Sequence, residues 1–210
     1  GINVNVTLLF SVERYRAVID AYFAGLERRD AAREPISNIS SVASFFVSRV
    51  DTRVDGMLDA AGDPHSLRGT IAIANAAMAY QAFQESVASP RWKALAGKGA
   101  RRQRPLWAST GTKDPRYSDV YYVDALVAPD TVNTLPPDTY DAYLDHGKPV
   151  VRIDDAVATA PRRLEALAGM GIDLADVTAF LETDGVAKFA ASYRSLLGGI
   201  ESKMGSLATR

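Results

Sequence analysis

The sequence predicts an α/β chain in which four short strands alternate with helices, followed by a run of C-terminal helices. Three observations carry this reading. The chain opens on a period-2 alternation: Val4, Val6 and Leu8 interleave with Asn3, Asn5 and Thr7, the signature of a strand with two unlike faces. The next stretch changes period, with Tyr15, Val18, Ile19, Tyr22, Phe23 and Leu26 spaced as one apolar face of a helix. The same change from strand to helix recurs along the chain, which calls for parallel strands joined by right-handed crossovers.

Each element has its own local grounds. Ser11 caps the first helix and Glu13 stands in its first turn, where the helix dipole favours an anion; the helix ends near Arg29. Beyond Pro35, residues 39–47 with Val42, Phe45, Phe46 and Val47 read as the second strand. Val50, Val54, Met57 and Leu58 make a short helix that Gly62 and Pro64 stop, and an alanine-rich helix runs over 66–86. Ser89-Pro90 is a cap followed by proline at the first helical position, opening a short helix with Trp92 and Leu95. Residues 105–109 form a buried third strand, and 119–126 are helical after a polar, glycine-containing loop over 110–116. The fourth strand covers 131–135 and ends at Pro136-Pro137. Helices over 138–145, 154–168, 174–182 and 184–206 complete the chain, with Pro161 expected to shorten the second of them. Four βα units fit either a small open doubly wound sheet or half of an eight-stranded barrel, which takes roughly 250 residues. Pattern alone leaves both open.

Bulk composition removes several function classes. With 47% hydrophobic and 23% charged residues, the 210-residue chain has the balance of a globular domain and not of a disordered tail. Net charge is −1, so no global field attracts nucleic acid or anionic lipid, and the run Arg101, Arg102, Arg104 reads as a solvated helix end. The chain has no cysteine, which excludes thiolate catalysis, disulfides and cysteine-ligated metals within it. His65 and His146 lie far apart in turns and do not make a metal pair. No stretch approaches the ~20 apolar residues of a membrane-spanning helix. No secretory signal is read ahead of the first strand, and a cytoplasmic protein is expected.

In either architecture ligands sit at the C-terminal ends of the strands, and those ends are polar here. Asn5 and Thr7 share a face of the first strand; Ser44 and Phe46 share a face of the second, and Arg49 follows. Ser109 closes the third strand with Lys113 in the loop beyond, and Asn133 and Thr134 end the fourth. Asn3, Asn5 and Thr7 read either as the wet face of an edge strand or as an inward set that holds a water or a substrate hydroxyl. Arg49 and Lys113 are either solvated or a phosphate clamp, arginine by its fork and lysine as a point charge. No nucleotide-binding glycine motif or Walker lysine is present. Asp154-Asp155 suits a helix start better than a metal, and Trp107, Tyr121 and Tyr122 read as core.

Four segments carry a resemblance. GINVNVTLLFS at 1–11, SVASFFVSRVD at 41–51, RPLWASTGTKDPRYSD at 104–119 and DTVNTLP at 130–136 resemble the fifth to eighth barrel strands of the transaldolase family, in order. The form with WAST and a downstream lysine is similar to the family's long bacterial branch. The resemblance implies the C-terminal half of a (β/α)₈ barrel over 1–210, with strands and helices to about 136 and a helical closing segment beyond. It implies a transferase of the pentose phosphate pathway that moves a dihydroxyacetone unit between sugar phosphates through a lysine Schiff base, without metal or cofactor. Carried over by position, Asn5 orients donor hydroxyls, Thr7 holds the catalytic water, Ser44 contacts substrate and Phe46 shapes the pocket. Arg49 binds phosphate, and Lys113 stands where the family has a second phosphate-binding cation. The family's Schiff-base lysine and acidic relay residues precede the GINVNV strand, and none of Lys93, Lys98, Lys113, Lys148, Lys188 and Lys203 stands in an apolar strand. The chain alone is therefore expected to be inactive, with the missing N-terminal half or a second copy as its partner. The alternatives are a non-catalytic half-barrel that dimerises or binds a partner, and a small doubly wound phosphate-binding module.

Overall fold

A computed structural model describes the backbone of residues 1–208 and the side chains of residues 1–204. The elements are β1 (Val4–Leu9), α1 (Val12–Ala31), β2 (Ser41–Phe46), α2 (Ser48–Ala61), α3 (Ile71–Ala88), α4 (Pro90–Ala96), β3 (Gln103–Ala108), α5 (Tyr121–Ala125), β4 (Val132–Asn133), α6 (Pro137–His146), α7 (Ile153–Gly169) and α8 (Leu174–Ala208). The four strands form one parallel sheet in the order β1-β2-β3-β4.

That order decides between the two architectures. A doubly wound sheet reverses its strand order at a switch point and carries helices on both faces. Here each strand pairs with its successor, so right-handed crossovers all place their helices on one side, as in a barrel. The expectation of a small doubly wound module is corrected accordingly. Side-chain burial agrees: Ala43, Phe45 and Trp107 join the helix-packed core, whereas Val42, Ser44 and Leu106, on the second face, stand outside it. On that face Asn5 and Arg104 are exposed.

The core centres on α3. Its alanines at 72, 74, 76, 77, 79 and 82 are buried, and the helix packs against α1, α2 and α7. A helix buried on most of its circumference suits small side chains, which let the Ala156 and Ala160 turns of α7 come close. Phe45 lies edge-on between Tyr15 and Trp107, with ring centroids 6.1 and 6.3 Å away. The Trp107 indole N–H donates to the Leu126 carbonyl at 3.1 Å, which satisfies its one polar atom.

Several boundaries differ from the sequence reading, each for a local reason. α3 starts at Ile71 and not near 66, because the Asp63 carboxylate accepts the Leu67 and Arg68 N–H groups at 2.9 Å each and folds that segment into a turn. The short helix after β2 is α2, of 14 residues, starting directly at Ser48. β4 keeps only two residues of the expected five. α7 runs unbroken through Pro161, which is exposed. Residues 174–208 form one helix and not two, continuing through Gly185. Arg101 and Arg102 precede β3 and Arg104 lies within it, so this basic run is a strand end and not a helix end. His146 closes α6 and does not sit in a turn. Among the described residues no helix is long and apolar enough to cross a membrane.

A one-sided core has a measurable consequence. Phe45→Ala is expected to cost about 3–5 kcal/mol of unfolding free energy, because it empties a fully buried site. Val42→Ala, half-buried on the second face, is expected to cost no more than about 1 kcal/mol. Urea denaturation of both variants checks this; equal losses would mean that the two faces are packed alike.

Candidate active site

Strand C-termini are where a βα sheet presents loops and free backbone groups, and two of them here carry strained backbone. β1 shifts register against β2 between Val6 and Leu9, and Leu8 within that bulge takes φ 61°. The bulge breaks the alternation read from sequence: Leu9 and Phe10 both enter the core, while half-buried Leu8 turns to line a cleft. Ser109, just past β3, takes φ 57°. Left-handed conformations at non-glycine residues are uncommon and concentrate where the surroundings over-determine them. Ser109 is held by two bonds, its carbonyl accepting the Ser48 N–H at 2.9 Å and its Oγ lying 3.1 Å from Ser48 Oγ.

The structure sorts the six residues singled out from the sequence into two groups and one outlier. Asn5 and Ser44 meet on the second face, where the Ser44 hydroxyl donates to Asn5 Oδ1 at 2.7 Å. This fixes the amide's orientation and leaves its NH₂ free to donate. Phe46 and Arg49 meet at the end of β2: the guanidinium lies over the Phe46 ring, 5.1 Å from its centroid, and Phe10 packs against that ring at 5.2 Å. Lys113 lines the same cleft, which has a volume of about 630 Å³. Thr7 is exposed and its side chain hydrogen-bonds to no described residue. β1 is an edge strand, and its polar residues Asn5 and Thr7, with Asn3 just before it, are exposed.

Arg49 makes no ion pair among the described residues, so its fork is open to an anion. The opposite wall of the cleft is α8, through Phe180, Leu181, Asp184, Lys188, Phe189 and Ser192. Gly185 allows α8 this close, since a Cβ there would lie 3.2 Å from Leu8 Cδ2. Arg14 of α1 grips Glu182 of α8 with two bonds, at 2.9 and 3.2 Å. A second cleft of about 630 Å³, lined by Asn3, Asn5, Arg101, Arg102 and Arg104, opens toward the N-terminal ends of the strands, so Asn5 borders this cleft and not the one at Arg49. Arg102 in it is paired with Asp130. No group of three or more His, Cys, Asp or Glu among the described residues could hold a metal.

Sequence reasoning missed a buried polar cluster behind this cleft. Asp51 and Asp55, one turn apart on α2, are both buried. Asp51 accepts the Ala72 N–H at 2.7 Å and the Tyr122 hydroxyl at 3.0 Å. Asp55 accepts the Gly69 N–H at 2.9 Å and the Tyr117 hydroxyl at 2.8 Å. The N-cap residue of α3 makes no side-chain cap bond, so Asp51 of α2 supplies a capping carboxylate, while Asp55 holds the turn before the helix. Gly69 sits at φ 69°, and a Cβ there would come within 2.6 Å of the Tyr117 ring, so only glycine fits. The cluster also fixes the loop that carries Lys113. Tyr117 is tied to Asp55, and Asp114, next to Lys113, bonds Arg116 and accepts from Arg68 Nη2 at 2.9 Å. Those guanidinium groups, Arg116 first, hold the Asp114 carboxyl well below the usual range. A D-x-x-x-D spacing beside the stripe Val50, Val54, Leu58 was the only sequence signal, and the stripe read simply as core.

Comparison with known proteins decides the lineage. Residues 1–200 match the family described as Transaldolase/Fructose-6-phosphate aldolase. The chain belongs to this family. It is 52% identical over 212 residues to a transaldolase of Mycolicibacterium paratuberculosis, covering 98% of this chain and 56% of that protein. It is 53% identical over 207 residues to one of Saccharopolyspora erythraea, covering 97% and 56%, and 50% identical over 216 residues to one of Frankia alni, covering 100% and 57%. The chain thus spans a little over half the length of the curated relatives it matches. Its four βα units, wound in one direction, are half of the (β/α)₈ barrel of this family.

The buried cluster makes stability depend on pH. Burial pushes the Asp51 carboxyl up to about 7, helped by neighbouring Asp55 and opposed by the Ala72 N–H and the Tyr122 hydroxyl. A carboxyl raised in the folded state binds its proton there more tightly than in the unfolded chain. Its stabilising effect is therefore fully present below about pH 4, the unfolded value, and is lost as pH rises through about 7. Thermal unfolding followed by circular dichroism is expected to show a Tm that falls from pH 5 to pH 8. Asp51→Asn, which mimics the protonated form, is expected to flatten that fall; an unchanged slope would place the titration elsewhere.

Proposed function

We propose that this chain is the substrate-binding half of a transaldolase, one that transfers a dihydroxyacetone unit between sugar phosphates in the pentose phosphate pathway. The observation that carries this is the meeting of Phe46, Arg49 and Lys113 in one cleft at the strand C-termini. An open arginine fork and a point-charge ammonium there suit a phosphate dianion. In this reading Asn5, oriented by Ser44, donates to the hydroxyls of the donor sugar. Thr7 presents its hydroxyl to the water that carries protons, and Phe46 walls off the reacting carbons. All six lysines are exposed, none in the desolvated pocket that activates an imine-forming amine, so the Schiff-base lysine belongs to the other four units of the barrel. Residues 1–210 then act as one domain, the C-terminal half-barrel, active only when the remaining units close over the second face of the sheet. A cytoplasmic setting accords with phosphorylated substrates.

Reconstitution tests this. The chain is combined with the part of the Mycolicibacterium paratuberculosis transaldolase that it does not match, and borohydride is added with fructose 6-phosphate. Covalent labelling is expected on the supplied part only, and transaldolase activity on the pair only. Labelling of a lysine in this chain would overturn the assignment of the imine, and a stable homodimer that refuses the supplied part would favour the non-catalytic half-barrel. In the active pair Arg49→Ala is expected to lower kcat/KM for fructose 6-phosphate about tenfold to hundredfold, the range set by a lost charge-assisted phosphate contact.

A further inference from the structure

The cleft holds more positive charge than Arg49 and Lys113 bring to it. Arg53, one turn beyond Arg49 on α2, lines it, and so does Lys188 on α8. Arg53 repeats the arrangement of Arg49: its guanidinium lies over the Phe180 ring at 4.3 Å and makes no ion pair among the described residues. Two arginines laid on ring faces, both without a carboxylate partner, keep their N–H groups for something outside the chain. Lys188 does have a partner, Asp184 at 2.7 Å, one turn back on the same helix. That pair is weak, because the Lys188 side chain is 72% exposed and a helical pair of this spacing adds little. Asp184 is the one carboxylate among the residues lining the cleft, facing four cations.

Resting on the phosphate reading above, we propose that Arg53, one turn beyond Arg49 on α2, and Lys188, across the cleft on α8, form a second cationic wall that closes on the substrate phosphate beside Arg49 and Lys113. They make the cleft selective for phosphorylated over unphosphorylated sugars, with Asp184 holding Lys188 until the phosphate displaces it. Geometry favours this arrangement. Asp184, Lys188 and Ser192 are spaced at four-residue steps, so one face of α8 presents them to the cleft. Gly185, on the turn between, lets that face approach the bulge at Leu8. A dianion takes up the excess positive charge, whereas a neutral sugar does not.

Calorimetric titration of the chain with fructose 6-phosphate, and with fructose as the unphosphorylated control, tests this. Lys188→Ala and Arg53→Gln are each expected to weaken fructose 6-phosphate binding about fivefold, the size of one partly screened charge contact. Neither is expected to change the response to fructose. Asp184→Asn is expected to tighten fructose 6-phosphate binding about twofold, a gain that misfolding does not imitate. If Arg49→Ala weakens binding while the Lys188, Arg53 and Asp184 variants match the parent chain, the second wall is refuted and the phosphate cleft stands. If Arg49→Ala also changes nothing, or the parent chain does not prefer the phosphorylated sugar, the cleft reading fails and takes the second wall with it.

Discussion

A parallel sheet wound in one direction has only one face that its own connections can cover. Each right-handed crossover here joins neighbouring strands, so the helices accumulate on the side of Ala43, Phe45 and Trp107. That constraint sets the rest. It separates a dry core from a face that carries Asn5, Ser44 and Arg104. It also brings all four strand C-termini to one edge, where Leu8, Phe46, Arg49 and Lys113 line a common cleft. The polar residues are tolerated on the second face because the hydrophobic free energy of the fold comes from the other side.

The helical layer is held in turn by a polar core of its own. A long alanine-rich helix with no cap at its start would leave buried N–H groups unpaired. Asp51 lowers that cost for α3 and Asp55 holds the Gly69 N–H in the turn before it, and the two carboxylates accept from the Tyr122 and Tyr117 hydroxyls with their remaining oxygens. Burial first, then the adjacent carboxylates, pushes both tyrosines up, so they remain neutral donors. Through Tyr117 and Asp114 the same cluster fixes the loop after β3. A structural device thereby fixes the loop on which Lys113, the proposed phosphate-binding residue, stands, anchored just beyond it at Asp114 and Tyr117.

α8 ties the functional reading to the fold. The Arg14–Glu182 contact and the close approach at Gly185 seat this helix across the end of β1. In that position it makes an open strand end into a walled cleft. In the proposed reading the phosphate site lies at this edge, and the chain's own side chains supply the cations. Exposed lysines and a polar second face describe a binding half whose chemistry, in the proposed enzyme, depends on an amine contributed across the barrel.

The sequence by itself determined the class of fold, the order of its elements and most of the candidate residues, because these are written in local periodicity and in short motifs. Val4 to Leu8 alternate, Tyr15 to Leu26 recur with the helical period, and SFFVSR places an aromatic residue at the end of a strand and an arginine just beyond it. Strand order, the bulge at Leu8 and the single unbroken α8 were decided only in three dimensions. So was the capping of α3 from α2, since it depends on contacts between residues far apart in the chain. Leu8 is an example: alternation assigns it to the face of Val4 and Val6, yet the register shift gives that place to Leu9 and turns Leu8 to the cleft. Nothing in the local pattern marks Asp51 and Asp55 as partners of α3 and the turn before it; only the packing of α3 against α2 shows it. A carboxylate's neighbours, unlike its period, are a property of the packed structure.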